Sequence, residues 1–290
     1  MADRVPSAPA PSAVAADADA LAAHVGVAFI RSAVAPLHTE ARVSSAQTSQ
    51  RLAGHPVYVL EERGDWLRVR GLDEYEGWVH RGYLMHVAAY GPVAPVPPGG
   101  EFALTYVPRV SLGARVRSHR GGPRALPLGA WLDVDEEVEE GSAVPLDVLT
   151  HRFPAEPDAI IQSAATLFAG TRYEWGGITP WGADCSGFVQ SVFGLHGVSL
   201  PRDAWQQALE GTDAGRDVAA LRPADLLFFS ERPDGRVTHV GIALGGPRMA
   251  HVALGRGGFN IERLDDGEDP YVVTLVGRLA GARRVLSSRG

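Results

Sequence analysis

From about residue 21 to residue 88, apolar and polar side chains alternate in short runs. In VYVLEER (57–63), Val57 and Val59 alternate with Tyr58 and Leu60; DWLRVRG (65–71) and EGWVHRGYL (76–84) supply two more such runs. A period of two is the signature of a strand with one buried face. Gly54, Gly64, Gly71 and Gly77 punctuate the runs, and short strands spaced by glycine turns predict a small barrel. A second stretch, FALTYVPRVSLGARVRS followed by ALPLGAWLDVDEEVEEG, echoes the first over residues 102–150 and predicts a second barrel. Between them, residues 89–101 carry the prolines and glycines of a linker. Residues 1–20, rich in Ala, Pro and Ser, read as a flexible leader.

The pattern changes over residues 155–290. Pro157 and Asp158 open a helix whose Ile160, Ile161, Ala164, Ala165, Leu167 and Phe168 share one side, and Gly170 ends it. Arg202 to Leu209 predicts a short helix closed by Gly211. Strands follow at DLLFFS (225–230), THVGIALGG (238–246), RMAHVALG (248–255) and YVVTLVGRLAG (271–281). Helices first and a meander of strands after them give an α+β class with a mostly antiparallel sheet.

Composition sharpens this little. The 290 residues are 45% hydrophobic and 21% charged, ordinary for a globular chain. A net charge of −7 argues against nucleic acid or an anionic membrane as partner. No run of about 18 uncharged apolar residues predicts a membrane span. The N-terminal residues lack a basic region followed by an apolar stretch, so no signal peptide is read and a cytoplasmic location is expected.

Cysteine changes the picture. There is one in the chain, Cys185, which excludes an internal disulfide or a multi-thiolate metal site and leaves a buried structural thiol or a reactive one. Asp184 is a good N-cap, and Phe188, Val192 and Leu195 give the following residues an inward helical side that Gly197 terminates. Cys185 then occupies the first helical position, where the helix dipole favours a thiolate, with small Ser186 and Gly187 leaving the sulfur approachable. Among the 10 histidines, His239 and His251 stand in adjacent predicted strands separated by a hairpin loop. Set directly opposite each other, they share one side of the sheet, and one could take the thiol proton while the other orients it. A one-residue slip would destroy that pairing. Two half-buried structural histidines are the competing reading, and Asp225 or Glu231 are alternative orienting groups. A His–His–Cys metal site is disfavoured because no tight ligand pair appears. No metal or cofactor is expected.

The pieces YEWGG (173–177), DCSGF (184–188), LPRDAWQQ (200–207), PADLLFF (223–229), HVGIAL (239–244) and MAHVA (249–253) together resemble the NlpC-type cysteine peptidases, bacterial cell-wall hydrolases of papain-like fold. The two preceding segments look like bacterial Src-homology-three barrels. The resemblance implies Cys185 as nucleophile, His239 as general base and His251 as the orienting third residue. The arrangement is similar to the subgroup that hydrolyses the bond between γ-D-glutamate and an L-diamino acid in murein tripeptides or tetrapeptides with a free N-terminal L-alanine, during wall recycling. That subgroup implies Asp184, Ser186 and a barrel tyrosine, matched here by Tyr75, as the amine-binding residues. The acid that such barrels often carry near the SQ-L-G stretch is missing, with Ala46 close to its place. Trp175 and Trp181 either line the cleft or pack in the core, and core packing is the expectation. A secreted hydrolase of intact wall and a catalytically silent wall-binding module are the alternative readings; an acyltransferase is disfavoured by the order Cys before His.

Overall fold

The computed structural model describes residues 26–86, 107–118 and 122–286; the leader over 1–20 and the linker over 89–101 lie outside them. The first unit is a seven-stranded antiparallel sheet of β1 (Gly26–Ile30), β2 (Val34–His38), β3 (Gln47–Leu52), β4 (Pro56–Arg63), β5 (Trp66–Arg70), β6 (Glu76–His80) and β7 (Leu84–His86), in the order β3-β2-β6-β5-β4-β1-β7. Its core, Ala28, Ile30, Leu37, Val57, Val59, Leu67, Val69 and Val79, comes from that one sheet. A sheet that buries its apolar side against itself is a barrel in packing terms. The alternation at Val57 and Val59 is the inward face: both are buried while Tyr58 and Leu60 are not.

The second unit holds β8 (Arg109–Ser111), β9 (Ala114–Ser118), β10 (Pro123–Leu126), β11 (Trp131–Leu132), β12 (Glu136–Glu140) and β13 (Ala143–Pro145), in two antiparallel sheets ordered β10-β9-β12 and β11-β8-β13. It is fused to the first barrel by packing. Leu52 and Ala53 share a core with Ala114, Val116, Leu126, Ala130 and Leu132, and the Trp131 N–H donates to the Ala53 carbonyl at 2.8 Å.

The third unit begins with α1 (Leu149–Arg152) and α2 (Pro157–Leu167), then the short pair β14 (Ile178–Thr179) and β15 (Gly182–Ala183), α3 (Cys185–Leu195) and α4 (Ala204–Gln207). Its sheet is β16 (Thr212–Gly215), β17 (Leu226–Phe229), β18 (His239–Gly245), β19 (Arg248–Ala253), β20 (Gly258–Arg263) and β21 (Leu279–Arg284), ordered β16-β21-β17-β18-β19-β20 and antiparallel throughout. Phe188, Val189 and Val192 of α3 pack with Val240, Ile242, Ala250 and Val252 on one side of it. On the other side, Leu227, Phe229, Ala243 and Met249 pack with Leu275. Leu275 belongs to α5 (Pro270–Gly277), and this corrects the strand expected over 271–281. An apolar run of that length fits a buried strand or a buried helix equally by periodicity. The deciding groups stand before it: Asp269 caps the Tyr271 N–H, and Pro270 takes the first helical turn, where its missing N–H costs nothing. The strand follows only from Leu279.

Candidate active site

Cys185 is the first residue of α3, and Asp184 caps the helix by accepting from the Gly187 N–H at 2.7 Å. Gly187 has to be glycine: a Cβ there would stand 2.0 Å from the Gly177 carbonyl oxygen. That close approach presses the loop of residues 174–178 against the first turn. Cys185 is 9% exposed, and its sulfur receives the main-chain N–H groups of Val240 and Ser186. Since Val240 follows His239, the helix start and the head of β18 meet at the sulfur.

The expected thiolate is not the resting form. Burial, reinforced by the charge of Asp184, pushes the thiol up to about 12, against the main-chain donors and Arg202, which act the other way. Burial likewise pushes His239 down to about 3, with His251 adding to the shift. The free site therefore holds a thiol and a neutral imidazole at neutral pH, because desolvation outweighs the helix dipole here.

The two imidazoles do meet, at 2.9 Å between Nε2 of His239 and Nδ1 of His251, but not as direct cross-strand partners. Ile242 pairs with Ala250 and Ala243 with Met249, with a register shift before Gly245, which pairs with Arg248. Continued along the strands, that register sets His251 opposite Gly241. A two-residue turn at Gly246 and Pro247 plus the irregularity at Leu244 cause the difference. The rings are diagonal neighbours on one side of the sheet, a separation that long or aromatic side chains span.

Neither Asp225 nor Glu231 touches the histidines. Asp225 is buried in a two-point pair with Arg284, and Glu231 pairs with Arg278. The carboxylate at the site is Glu262 of β20, whose Oε1 lies 3.2 Å from His251 Nε2. Its signal was a charged residue at an alternating position of GFNIER, a strand that the sequence reading passed over.

Arg202 was also missed as a site residue, because charge rules place arginine outside. It is 1% exposed. Its guanidinium grips Asp184 at two points, 3.0 and 2.7 Å, reaches the Ser186 hydroxyl at 2.9 Å, and donates to the first barrel's Ser49 at 3.0 Å. Asp184 thus takes Gly176 N–H, Gly187 N–H, Ser186 hydroxyl and both ends of Arg202. These fill the roughly four lone-pair sites of a carboxylate, so Asp184 has no vacant acceptor for a substrate amine.

Tyr75 does come to the site. It is partly buried against the barrel core, its hydroxyl bonds the Thr48 side chain, and burial beside Asp203 pushes it up to about 12. Tyr173 joins from the catalytic unit, pushed up by burial and by Cys185 and Asp184. Close to Ala46, Gln47 and Gln50 reach across and donate to Glu174 at 3.4 and 2.8 Å. The carboxylate beside that segment therefore comes from the catalytic unit. Trp175 and Trp181, expected in the core, are about half exposed.

The NlpC/P60 family pattern matches residues 170–275 and a bacterial SH3 domain pattern matches residues 33–85. The chain is 44% identical over 218 residues to a gamma-D-glutamyl-L-lysine dipeptidyl-peptidase of Bacillus subtilis, covering 70% of this chain and 71% of that protein. It is 28% identical over 267 residues to the protein of the same name from Bacillus cereus, covering 82% and 75%. A crystal structure of an NlpC/P60 family protein from Bacillus cereus superposes with a TM-score of 0.69 at 21% identity, over 90% of this chain and all of that one. A cysteine at a helix start beside paired imidazoles, on this α+β fold behind an SH3 barrel, together with that degree of identity, place the chain in the NlpC/P60 cysteine peptidase family.

Proposed function

We propose that the protein hydrolyses the γ-D-glutamyl–L-diamino acid bond of murein tripeptides or tetrapeptides that carry a free N-terminal L-alanine, as in the recycling of wall fragments. The observation that carries this reading is the convergence of the first barrel on the nucleophile. Tyr75 and Ser49 reach the Asp184–Arg202 pair at the start of α3, setting hydroxyl groups of the barrel beside charged groups of the catalytic unit. A short peptide with a charged end suits such a set of groups.

In this reading Cys185 attacks the γ-carbonyl. Nε2 of His239 is engaged by His251, so Nδ1 takes the thiol proton and later returns it to the leaving amine. The S–H proton moves as the S–C bond forms, which suits a thiol that rests neutral. The main-chain N–H of Cys185, at the start of α3, stabilises the oxyanion. Water then cleaves the thioester and releases L-Ala-γ-D-Glu.

The substrate ammonium meets Tyr75 and Ser186. Asp184 acts on it through charge and by holding Arg202, since its own acceptor sites are filled. Asp203 and Asp184 both act on Tyr75, which sets carboxylates near the proposed place of the ammonium.

The test is cleavage of L-Ala-γ-D-Glu-L-Lys and its diaminopimelate counterpart, their N-acetylated forms, and whole peptidoglycan. Release of L-Ala-γ-D-Glu from a free-amine peptide alone is the expected result, and Cys185→Ala should abolish it while leaving the fold intact. Equal cleavage of the acetylated peptide would remove Tyr75 and Ser186 from amine recognition. Full activity in Cys185→Ala would end the mechanism.

A further inference from the structure

Neither imidazole can act unless the protons on four ring nitrogens are correctly placed. Nε2 of His239 and Nδ1 of His251 share one hydrogen bond, so one donates and the other accepts. If His251 carried its proton on Nδ1, it would donate to His239. The His239 proton would then sit on Nδ1, and that nitrogen could not accept from the thiol. The His251 Nε2 lone pair would also face a carboxylate oxygen. The opposite arrangement satisfies every atom: Nε2–H of His251 donates to Glu262, Nδ1 of His251 accepts from Nε2–H of His239, and Nδ1 of His239 is left with a lone pair.

Glu262 is built to enforce this. It is 4% exposed. Arg256 donates to its two oxygens at 2.7 and 2.9 Å, and Asn260 donates to Oε1 at 2.7 Å. Arg256 is itself paired with Asp269 and lies 4.2 Å from the centre of the Tyr271 ring, whose other neighbour is His251. Burial acts to raise Glu262, but the hydrogen bonds from His251, Arg256 and Asn260 outweigh it and hold the group down at about 2. The carboxylate is thus an acceptor only.

We infer that Glu262, fixed by Arg256 and Asn260, is the positioning residue that sets the tautomers of both His251 and His239 and keeps the base nitrogen of His239 free for the thiol. The inference rests on His239 acting as the base. When the thiol proton passes to His239, the S–H bond breaks, an Nδ1–H bond forms, and the positive charge is stabilised through His251 by the Glu262 carboxylate. No proton moves to Glu262.

The test is Glu262→Gln in the full chain. An amide can present its NH2 to His251 Nε2, which favours the wrong tautomer, and it removes the negative charge. The expected result is a fall in kcat of about tenfold to a hundredfold, by analogy with the loss of a carboxylate that orients a metal-bound imidazole, with KM for the free-amine peptide unchanged. The rate of Cys185 alkylation by iodoacetamide should fall at pH 7. Its rise with pH should move to higher pH, because the weaker base no longer draws the thiol proton. Should Glu262→Gln fail to fold, Glu262→Asp keeps the charge but draws it back from His251, and should shift the alkylation profile in the same direction. A folded Glu262→Gln with wild-type kcat and an unmoved alkylation profile overturns the inference. The alkylation arm needs no peptide, so it decides on Glu262 even if the wild-type protein left every murein peptide uncut.

Discussion

At the scale of single residues, the thiol and its base are held neutral until used. His239 rests at about 3 and His55 at about 4, both lowered first by burial; His196 is lowered by the same cause. A histidine whose folded value lies below its unfolded value of roughly 6.5 binds fewer protons folded than unfolded in the interval between them. Its contribution to stability is therefore present above about pH 6.5 and is lost as pH falls toward the folded value. Melting temperature should decline from pH 7 to pH 4, and His239→Asn, which cannot protonate in that range, should flatten the decline. Parallel curves for the two proteins would mean that His239 is as readily protonated folded as unfolded. The sequence showed that Cys185 stands at a helix start between small residues, but not that its surroundings would be dry. Desolvation depends on what packs around the sulfur, and there Val240, at the head of β18, comes from a part of the chain far from Cys185 in sequence. Arg202 and Glu262 were illegible for a related reason: each is a charge that becomes buriable only because partners from other elements surround it.

At the scale of elements, α3 was legible almost entirely. Its cap, its inward face of Phe188, Val192 and Leu195, and its terminating Gly197 are local features, and each is found where the spacing put it. What local reasoning could not weigh was the double duty of Asp184. Its carboxylate caps the helix and also neutralises a buried guanidinium. Asp184→Asn separates the two, since asparagine caps about as well as aspartate but carries no charge. If capping were the whole role, the loss in a urea melt would be a few tenths of a kcal/mol. With Arg202 left unpaired inside the protein, the loss should be about 3–5 kcal/mol. A loss near zero would show that Arg202 finds solvent or another partner. The sheet shows the complementary limit. Alternation along β18 and β19 identified which residues share a side, and that survives any shift of two. The partner of each residue depended on the turn and on one irregular residue at its mouth, so His251 faces Gly241 while still reaching His239. In α5, a capping Asp–Pro pair overrode a β-branched run, which periodicity had left ambiguous.

At the scale of the whole molecule, local patterns divide the chain into segments but do not show how those segments pack together. Trp131 of the second unit packs its ring 4.9 Å from the first barrel's His55 and belongs to the same core cluster as Ile160, Phe188 and Val240 of the catalytic unit. Ile178, from the loop beside the nucleophile, is buried with Leu52 and Ala53 of the first barrel and Leu126 of the second, while its N–H donates to Gln50 of the first. Cores shared in this way have no plane along which one unit can unfold and leave its neighbour dry. The protein should therefore melt in one transition, with equal calorimetric and van't Hoff enthalpies. Trp131→Ala should lower that single transition by about 3–5 kcal/mol, the cost of removing a large core aromatic. It should also raise KM for the free-amine peptide, because Tyr75 reaches the substrate only while the first barrel is held in place. Iodoacetamide labelling of Cys185 below the transition should be unchanged, since His239, His251 and Glu262 are held by the paired strands β18, β19 and β20 of the catalytic unit. Independent units would behave otherwise. Two transitions would appear, Trp131→Ala would lower only the first, and KM would stay at its original value until the barrels had melted. That outcome would take the first barrel out of substrate recognition and leave the catalytic unit acting alone.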